Sequence, residues 1–516
     1  MDRPPDSSPD RTSDRSDPKA SRLALAVLLV GALVLGVISA REPLLGLVLS
    51  VLGVVSLFAL RVPDAASYAV LFLLYSNLPA VGVAFHGVPK VLAGAFPLLL
   101  SVPLARDLFL KREPPVIGAA LPFLLLLLGV QLVGALFALQ PEDSFKALVT
   151  FLTEGVVLYV LVTNTVRSKA VLRGATWALL LAGLPMSLVP LYQQATRTFQ
   201  NNYGGLAQVD GLGFKTSEGV EEGGGEVRQA RLAGPIGEKN RYSQVMLMLV
   251  PLGLMRFWGE KKPLLRWGAL ACTGLASLGF VLAFSRGGAF GLVCMVGVMV
   301  FMRLIDVRKF VFVAAGGVLL LAALPQYWER LATIGSVASL FSEEGSGAAE
   351  PDGAVKRRVT EMMAAVRVFV DHPLVGVGPG QFKAYSEEYG NIDALRKIET
   401  GRRAHSLFLE IAAENGALGL TAFVCAILVT FVGLFAARRA TLVEDPELAN
   451  LVTGILLALV CYVTTGIFLH LSYMRYFYVV LALGGAAASV GLRAARAARA
   501  PEAPVPAAAV STGGAA

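Results

Sequence analysis

Polar groups gather in four short stretches, each beside a long apolar run. The first runs from Arg231 through Gly234, Pro235 and Gly237 to Asn240 and Arg241, and the second is Phe284-Ser285-Arg286-Gly287-Gly288. The third, Asp371-His372-Pro373, continues through Gly376, Gly378 and Gly380 to Phe382; the fourth, His405-Ser406, continues to Glu410, Glu414, Asn415 and Gly416. A guanidinium offers paired planar donors that match phosphate oxygens. A histidine, with an ordinary pKa of about 6.5, moves protons near neutral pH. Together they suit chemistry in which a phosphate departs with negative charge and a nucleophile gives up a proton.

Each residue also has a plainer reading. Apolar sequence flanks Arg286 on both sides, and a charge drawn far into lipid costs at least about 2.5–3.5 kcal/mol. Arg286 either snorkels to headgroups or holds an anion, with Gly287 and Gly288 admitting a ligand to the backbone. His405, one of four histidines, is an interfacial anchor or a proton carrier, and Arg402 and Arg403 precede it. Glu410 and Glu414 are four apart and share a helix face; they must turn away from lipid, as helix–helix hydrogen-bonding groups or as site residues. His372, beside a proline, reads as a turn former more than a ligand.

Other chemistries find no support. The chain has no P-loop, no Rossmann glycine pattern and no Gly-x-Ser-x-Gly. No carboxylate cluster suggests a metal site. Cys272, Cys294, Cys425 and Cys461 all lie inside apolar runs, as small core residues and not as disulfides or metal ligands. The net charge of +8 punctuates those runs instead of forming one basic surface, which argues against nucleic acid.

The elements that must hold these residues are membrane helices. Of 516 residues, 55% are hydrophobic and 16% charged, against about 25% charged in soluble proteins. Apolar runs of about 17 to 24 residues recur, each long enough to cross a hydrocarbon core about 30 Å thick. Their continuity, without period-2 alternation, predicts helices and not a barrel. Spans are predicted at 23–39, 44–60, 66–84, 91–109, 116–138, 147–164, 171–191, 243–258, 264–283, 287–303, 309–324, 405–436, 447–469 and 474–492. The fold class is therefore all-α, a polytopic transmembrane bundle of about 12–14 spans.

Charge orients this map. With a cytoplasmic N-terminus, the inside loops hold Arg106, Lys111 and Arg112, then Arg167, Lys169 and Arg173, then Arg256, Lys261, Lys262 and Arg266, with further basic residues at 303–309, 438–439 and 493–499. The short outside connections hold only Arg41, Lys90, Lys146, Arg286 and Arg475. The positive-inside rule thus places both termini in the cytoplasm and all four polar stretches on the opposite face.

Residues 1–22 read as a disordered tail before an uncleaved first span, and 493–516 as a cytoplasmic tail, disordered from 500 onward. The bundle occupies 23–324, interrupted by an outer loop at 192–242; a larger outer loop covers 325–404, and the last spans cover 405–492. Both loops carry an acidic, glycine-rich stretch, Glu218–Glu226 and Ser342–Gly353, expected to be mobile. Beyond the second, Val355, Val359, Met362, Met363, Val366 and Phe369 recur at helical spacing beside Lys356, Arg357, Arg358 and Arg367. This predicts an amphipathic helix on the outer membrane surface.

In order and spacing, the motifs resemble the bacterial O-antigen ligase and polymerase superfamily. Arg-x-x-Gly-x-x-Gly-x-x-Asn before a span is followed by Ser-Arg-Gly-Gly, then by His-Pro-Leu-x-Gly-x-Gly-x-Gly-x-Phe in a large outer loop, then by His-Ser-x-x-Leu and a Glu-x-Gly-x-x-Gly-Leu pattern. Sequence detail carries the resemblance over roughly 231–435; before that it rests on hydropathy. It implies a bundle similar to membrane glycosyltransferases of the GT-C type, in a bacterial inner membrane. It further implies transfer of a glycan from undecaprenyl diphosphate to lipid A-core, to another glycan or to a protein hydroxyl, with membrane lipids as surroundings and without a cofactor or, in the ligases, a metal. By position, Arg231 and Arg286 would hold the donor diphosphate, Arg358 would add a phosphate or acceptor contact, and His405 would activate the acceptor hydroxyl. Asn240, Glu414 and His372 would support them. Relatives commonly carry an aromatic residue near Met362, so this helix departs from the pattern.

A polymerase of the same superfamily is the nearest alternative. A polysaccharide flippase or other transporter is the rival of a different class, and it predicts midplane polar residues, broken helices or internal repeats. A scaffold protein is a third reading. No clear repeat is present, and the conspicuous charges cluster at one face.

Overall fold

The computed structural model describes residues 62–209, 214–222, 226–305, 353–392, 401–471 and 474–499, with isolated positions 308, 311 and 397. The predicted spans at 23–39 and 44–60, nearly all of that at 309–324, the acidic stretch before Gly353, and the tails at 1–22 and 500–516 lie outside these residues.

The chain is an all-α polytopic bundle. In order come α1 (Pro63–Ser76), α2 (Leu78–Phe85), α3 (Lys90–Leu110), α4 (Leu121–Leu136), α5 (Pro141–Thr165) and α6 (Lys169–Thr196). After a loop with strands follow α7 (Lys239–Gly259), α8 (Pro263–Leu282) and α9 (Arg286–Phe301). Then come α10 (Gly353–Asp371), α11 (Phe382–Gly390), α12 (Leu407–Thr441), α13 (Pro446–Gly466) and α14 (Met474–Arg499). Seven of these are long and apolar enough to cross a membrane, or eight if α1 and α2, bent by 57°, form one broken span. The break falls at Asn77, which sits in the left-handed region at φ 62° just before Pro79.

Each of the eleven predicted spans within the described residues corresponds to a helix or to that broken pair, with shifted ends. The expected span at 116–138 is shorter, 16 residues, or about 24 Å at the α-helical rise. The final helix is longer and runs to Arg499. Alanine-rich sequence with arginines three apart at 493, 496 and 499 continues it past the predicted boundary at 492.

Helix α13 is the pillar of the bundle. It packs against α7, α9, α12 and α14, and nearly all its residues are buried. Local capping fixes where the helices start. Ser168 accepts from Val171 N at the head of α6, and Asp445 accepts from Leu448 N at the head of α13.

The loop between α6 and α7 is more ordered than its composition predicts. Strands β1 (Gln208–Val209) and β4 (Leu232–Gly234) pair antiparallel, as do β2 (Phe214–Glu222) and β3 (Glu226–Gln229). The described residues of the acidic stretch expected to be mobile, 218–222 and 226, therefore lie in paired strands. A ladder satisfies backbone groups by pairing, which needs no apolar run.

Candidate active site

Two of the polar stretches form one unit. Phe284 adopts φ 48°, and this turn separates α8 from α9. Arg231, buried at 3% exposure, donates from Nε to Ala283 O at 2.9 Å and from Nη2 to Phe284 O at 3.0 Å. The same Nη2 reaches Asn240 Oδ1 at 3.1 Å, and Ser285 Oγ donates to that oxygen at 3.1 Å. Ser285 Oγ in turn accepts from Gly288 N at 3.3 Å and caps α9. Arg231 thus clasps the turn that presents Arg286, the half-buried first residue of α9. Gly288 is required by packing, because a Cβ there would meet Ser243 Oγ at 2.3 Å.

Asn240 is joined to the head of α7 through Glu238. Glu238 accepts from Asn240 N at 2.9 Å and from Arg241 N at 2.7 Å. Arg241 is almost wholly buried; its guanidinium donates to Gln244 Oε1 at 2.6 Å, to Tyr462 OH at 3.3 Å and to the carbonyl of His470.

The segment between α13 and α14 links this unit to the fourth stretch. Gly287 lies under Phe468, whose Cβ would be 3.5 Å from a methyl there. The Phe468 ring meets Phe290 edge-on with centroids 5.4 Å apart. Two residues further, His470 meets the His405 ring edge-on, also at 5.4 Å. Residues 468–470 therefore touch the head of α9 on one side and His405 on the other. Nothing in the sequence singled out His470, a histidine within an apolar stretch.

His405 sits at φ 48° just ahead of α12. Its Nε2 lies 3.4 Å from Glu361 Oε2, and Glu361 is fully buried on α10. Apart from this approach, no hydrogen-bond donor among the described residues reaches either Glu361 oxygen, and none pairs with His405 Nδ1. Burial and then the positive charges of Arg358, Arg357, Arg402 and Arg403 push the imidazole down to about 4. Burial pushes the Glu361 carboxyl up to about 7, against the pull of Arg357, Arg402 and Arg358. Near neutral pH the imidazole is therefore uncharged, and only an uncharged imidazole can accept a proton. His470 is likewise held well below the usual histidine range, first by burial and then by Arg403 and Arg241.

Helix α10 reaches the site by a face that the apolar pattern did not indicate. The buried positions are Thr360, Glu361, Ala364, Ala365 and Val368, while Val366 and Val370 are exposed. Ala364, Ala365 and Val368 cluster with Val377, Phe382, Ala404 and Ala413. Small side chains let the helix lie close to α12, so the fully buried face is the alanine one, while Val359, Met362, Met363 and Phe369 are half-buried.

The third stretch is a backbone-to-backbone splice. α12 breaks at Gly416 (φ 62°, ψ −167°), which frees carbonyls of the preceding turn. Val377 N donates to Ala413 O at 3.0 Å and Gly378 N to Glu414 O at 2.9 Å. In return Ala417 N donates to Pro373 O at 2.7 Å. Gly376 and Gly416 face one another's backbones so closely that a Cβ on either would meet backbone atoms at 2.3 Å. Gln381 completes the splice by pairing both ways with the Gln140 backbone, at 2.7 and 2.9 Å. Glu414 accepts from Phe382 N at 3.3 Å, and the His372 ring meets Tyr385 edge-on.

The structure thus brings Arg231, Asn240 and Arg286 together, and brings Arg358 and His405 together. His372 and Glu414 serve the loop that supports the second group. Sequence reasoning missed Glu361 and His470. All four cysteines are free, and among the described residues no three His, Cys, Asp or Glu side chains gather where they could hold a metal.

Residues 271–424 match the family Wzy_C, described as O-antigen ligase. The match contains Arg286, Arg358, Glu361, His372, His405 and Glu414, while Arg231 and Asn240 precede it. No curated protein matches the chain. The order of the motifs, the helical bundle and this match agree: over residues 271–424 the chain is similar to the O-antigen ligase family.

Proposed function

We propose that the protein transfers a glycan from undecaprenyl diphosphate to an acceptor hydroxyl, at the periplasmic face of a bacterial inner membrane with both termini cytoplasmic. One observation carries the reading. Within the O-antigen ligase match, a neutral histidine beside a buried carboxylate is biased by four arginines.

In this reading the acceptor oxygen attacks the anomeric carbon as the carbon–oxygen bond to the diphosphate breaks, inverting that centre. The bonding pair leaves with the diphosphate, and the hydroxyl proton passes to His405. Arg286, presented by the turn that Arg231 and Asn240 hold, and Arg358 stabilise the charge developing on the departing phosphate. Fixed donors need no reorganisation as that charge appears. With Glu361 ionised and its oxygen facing Nε2–H, Nδ1 is the nitrogen that takes the proton, and the carboxylate steadies the imidazolium that results. Substrate must part the side chains over Nδ1, in keeping with catalytic contacts that tighten only once substrate binds. An anionic donor among the arginines also offsets the field that depresses His405, so donor binding strengthens the base.

Purified protein in liposomes, supplied with lipid-linked glycan and acceptor, tests this reading. A covalent glycan–acceptor product supports it. Movement of intact donor across the bilayer without product supports the flippase instead.

A further inference from the structure

A second polar feature lies beside the His405 cluster and has no part in the steps above. A cavity of about 480 Å³ opens among the outer ends of α4 and α5, the loop before α11 and the first turns of α12. Gln131, Glu410 and Asn415 line it, and they are 7%, 7% and 3% exposed. Among the described residues no donor reaches Gln131 Oε1, Glu410 Oε2 or Asn415 Oδ1. The amide of Asn415 is oriented, because its Nδ2 donates to Ile411 O at 3.3 Å. The other carboxylate oxygen of Glu410 faces Arg403 Nη1 at 3.3 Å. Lys383 and Lys146, the latter paired with Asp143 at 3.3 Å, also line it, together with Glu154 and Glu414.

Buried acceptors of this kind each lose about 1–3 kcal/mol when left unpaired. Three such oxygens in a lining that holds both cationic and anionic side chains call for a ligand that offers many donors and also accepts. Sugar hydroxyls do both. The volume falls within the range of small-ligand sites and suits one or two sugar rings. Arg403 lines the cavity and also belongs to the arginine set around His405, and Leu471 in the wall adjoins His470.

We propose that this cavity is the saccharide subsite for the acceptor, holding the sugar whose hydroxyl is delivered to His405. The assignment of an acceptor rests on the transferase reading; the binding of saccharide does not. The test is therefore a binding measurement first. Full-length protein in nanodiscs is titrated with lactose, maltose and N,N′-diacetylchitobiose, read by saturation-transfer NMR. At least one disaccharide receives saturation from the wild type, and Gln131→Leu and Asn415→Leu each weaken its binding about fivefold to tenfold, the loss of one hydrogen bond. The two residues lie on different helices, so misfolding of one variant leaves the other informative, and Val366→Ser, at an exposed position of α10, keeps wild-type binding. Absence of saturation for all three sugars, or undiminished transfer in both leucine variants, overturns the proposal. Where transfer is measured, the leucine variants raise the acceptor KM and leave the donor KM unchanged. If binding behaves as predicted and no product ever forms, the transferase reading fails and the saccharide site stands.

Discussion

The two charged ends of the bundle are built on opposite plans. At the end predicted to face the cytoplasm, cations and carboxylates answer one another. Arg256, 1% exposed, pairs with Glu260 and lies 3.4 Å from Glu447; Arg173 reaches Glu260 at 3.0 Å and Glu447 at 3.5 Å. Lys169 closes the network on Asp445 at 2.7 Å and Glu447 at 3.1 Å. At the other end four arginines bear on a single uncharged histidine, and the nearest carboxyl, Glu361, is pushed toward its neutral form. The first arrangement fastens α6, α7 and α13 together. The second sets arginines, one of them Arg403 paired with Glu410 at 3.3 Å, around a neutral imidazole that an anionic substrate would approach. Charge alone therefore does not mark a site; what marks this one is the neutral, buried histidine that the charge surrounds.

Breaking the first end tests whether its role is only structural. Arg256→Ala leaves the buried Glu260 with less compensation and lowers stability by about 3–5 kcal/mol, read as a fall in melting temperature in detergent. Transfer per folded molecule stays near the wild-type rate. At the other end, Arg286→Ala lowers transfer by about 10²–10³-fold, the usual effect of removing one donor to developing negative charge, while melting is little changed. Near-normal transfer by Arg286→Ala removes that residue from the mechanism.

Glu361→Gln sharpens the comparison through pH. Because the carboxyl ionises at about 7 and its ionised form steadies the imidazolium, the wild-type rate climbs as pH rises through 7. The glutamine variant is slower by about tenfold above that point and lacks the climb. Stability runs the other way. A carboxyl whose folded pKa is raised from 4.5 to about 7 stabilises the fold below 4.5, and that contribution is lost as pH rises through 7. The melting temperature of Glu361→Gln therefore gains on the wild type from pH 5 to pH 8. The smallest effect is expected at Val366, which is 44% exposed on α10; Val366→Ser changes stability and transfer by less than about 0.5 kcal/mol if protein contacts alone position that helix.

Much of this was legible in the residue order. Continuous apolar runs fixed the helices, and arginine beside paired glycines pointed to the head of α9. What escaped detection was set by contacts between distant segments. Glu361 looks like one more charge on a polar helix face, because only the close approach allowed by Ala364 and Ala365 buries it. His470 carries no motif and matters through its edge-on contact with His405. The role of Arg231 was also hidden, since the carbonyls it clasps belong to a turn more than fifty residues away. The glycines of the third stretch suggested a turn, and their function is a splice to Gly416 that no local pattern reveals.

The central claim is that His405 removes the acceptor proton during glycan transfer at the arginine-rich end. It is tested most directly by comparing His405→Ala with Arg256→Ala in one proteoliposome assay, with product formation and melting temperature measured on the same preparations. The account predicts that His405→Ala melts like the wild type and forms product about 10²–10⁴-fold more slowly, while Arg256→Ala melts early and keeps its rate per folded molecule. Product formed at the wild-type rate by His405→Ala would contradict it.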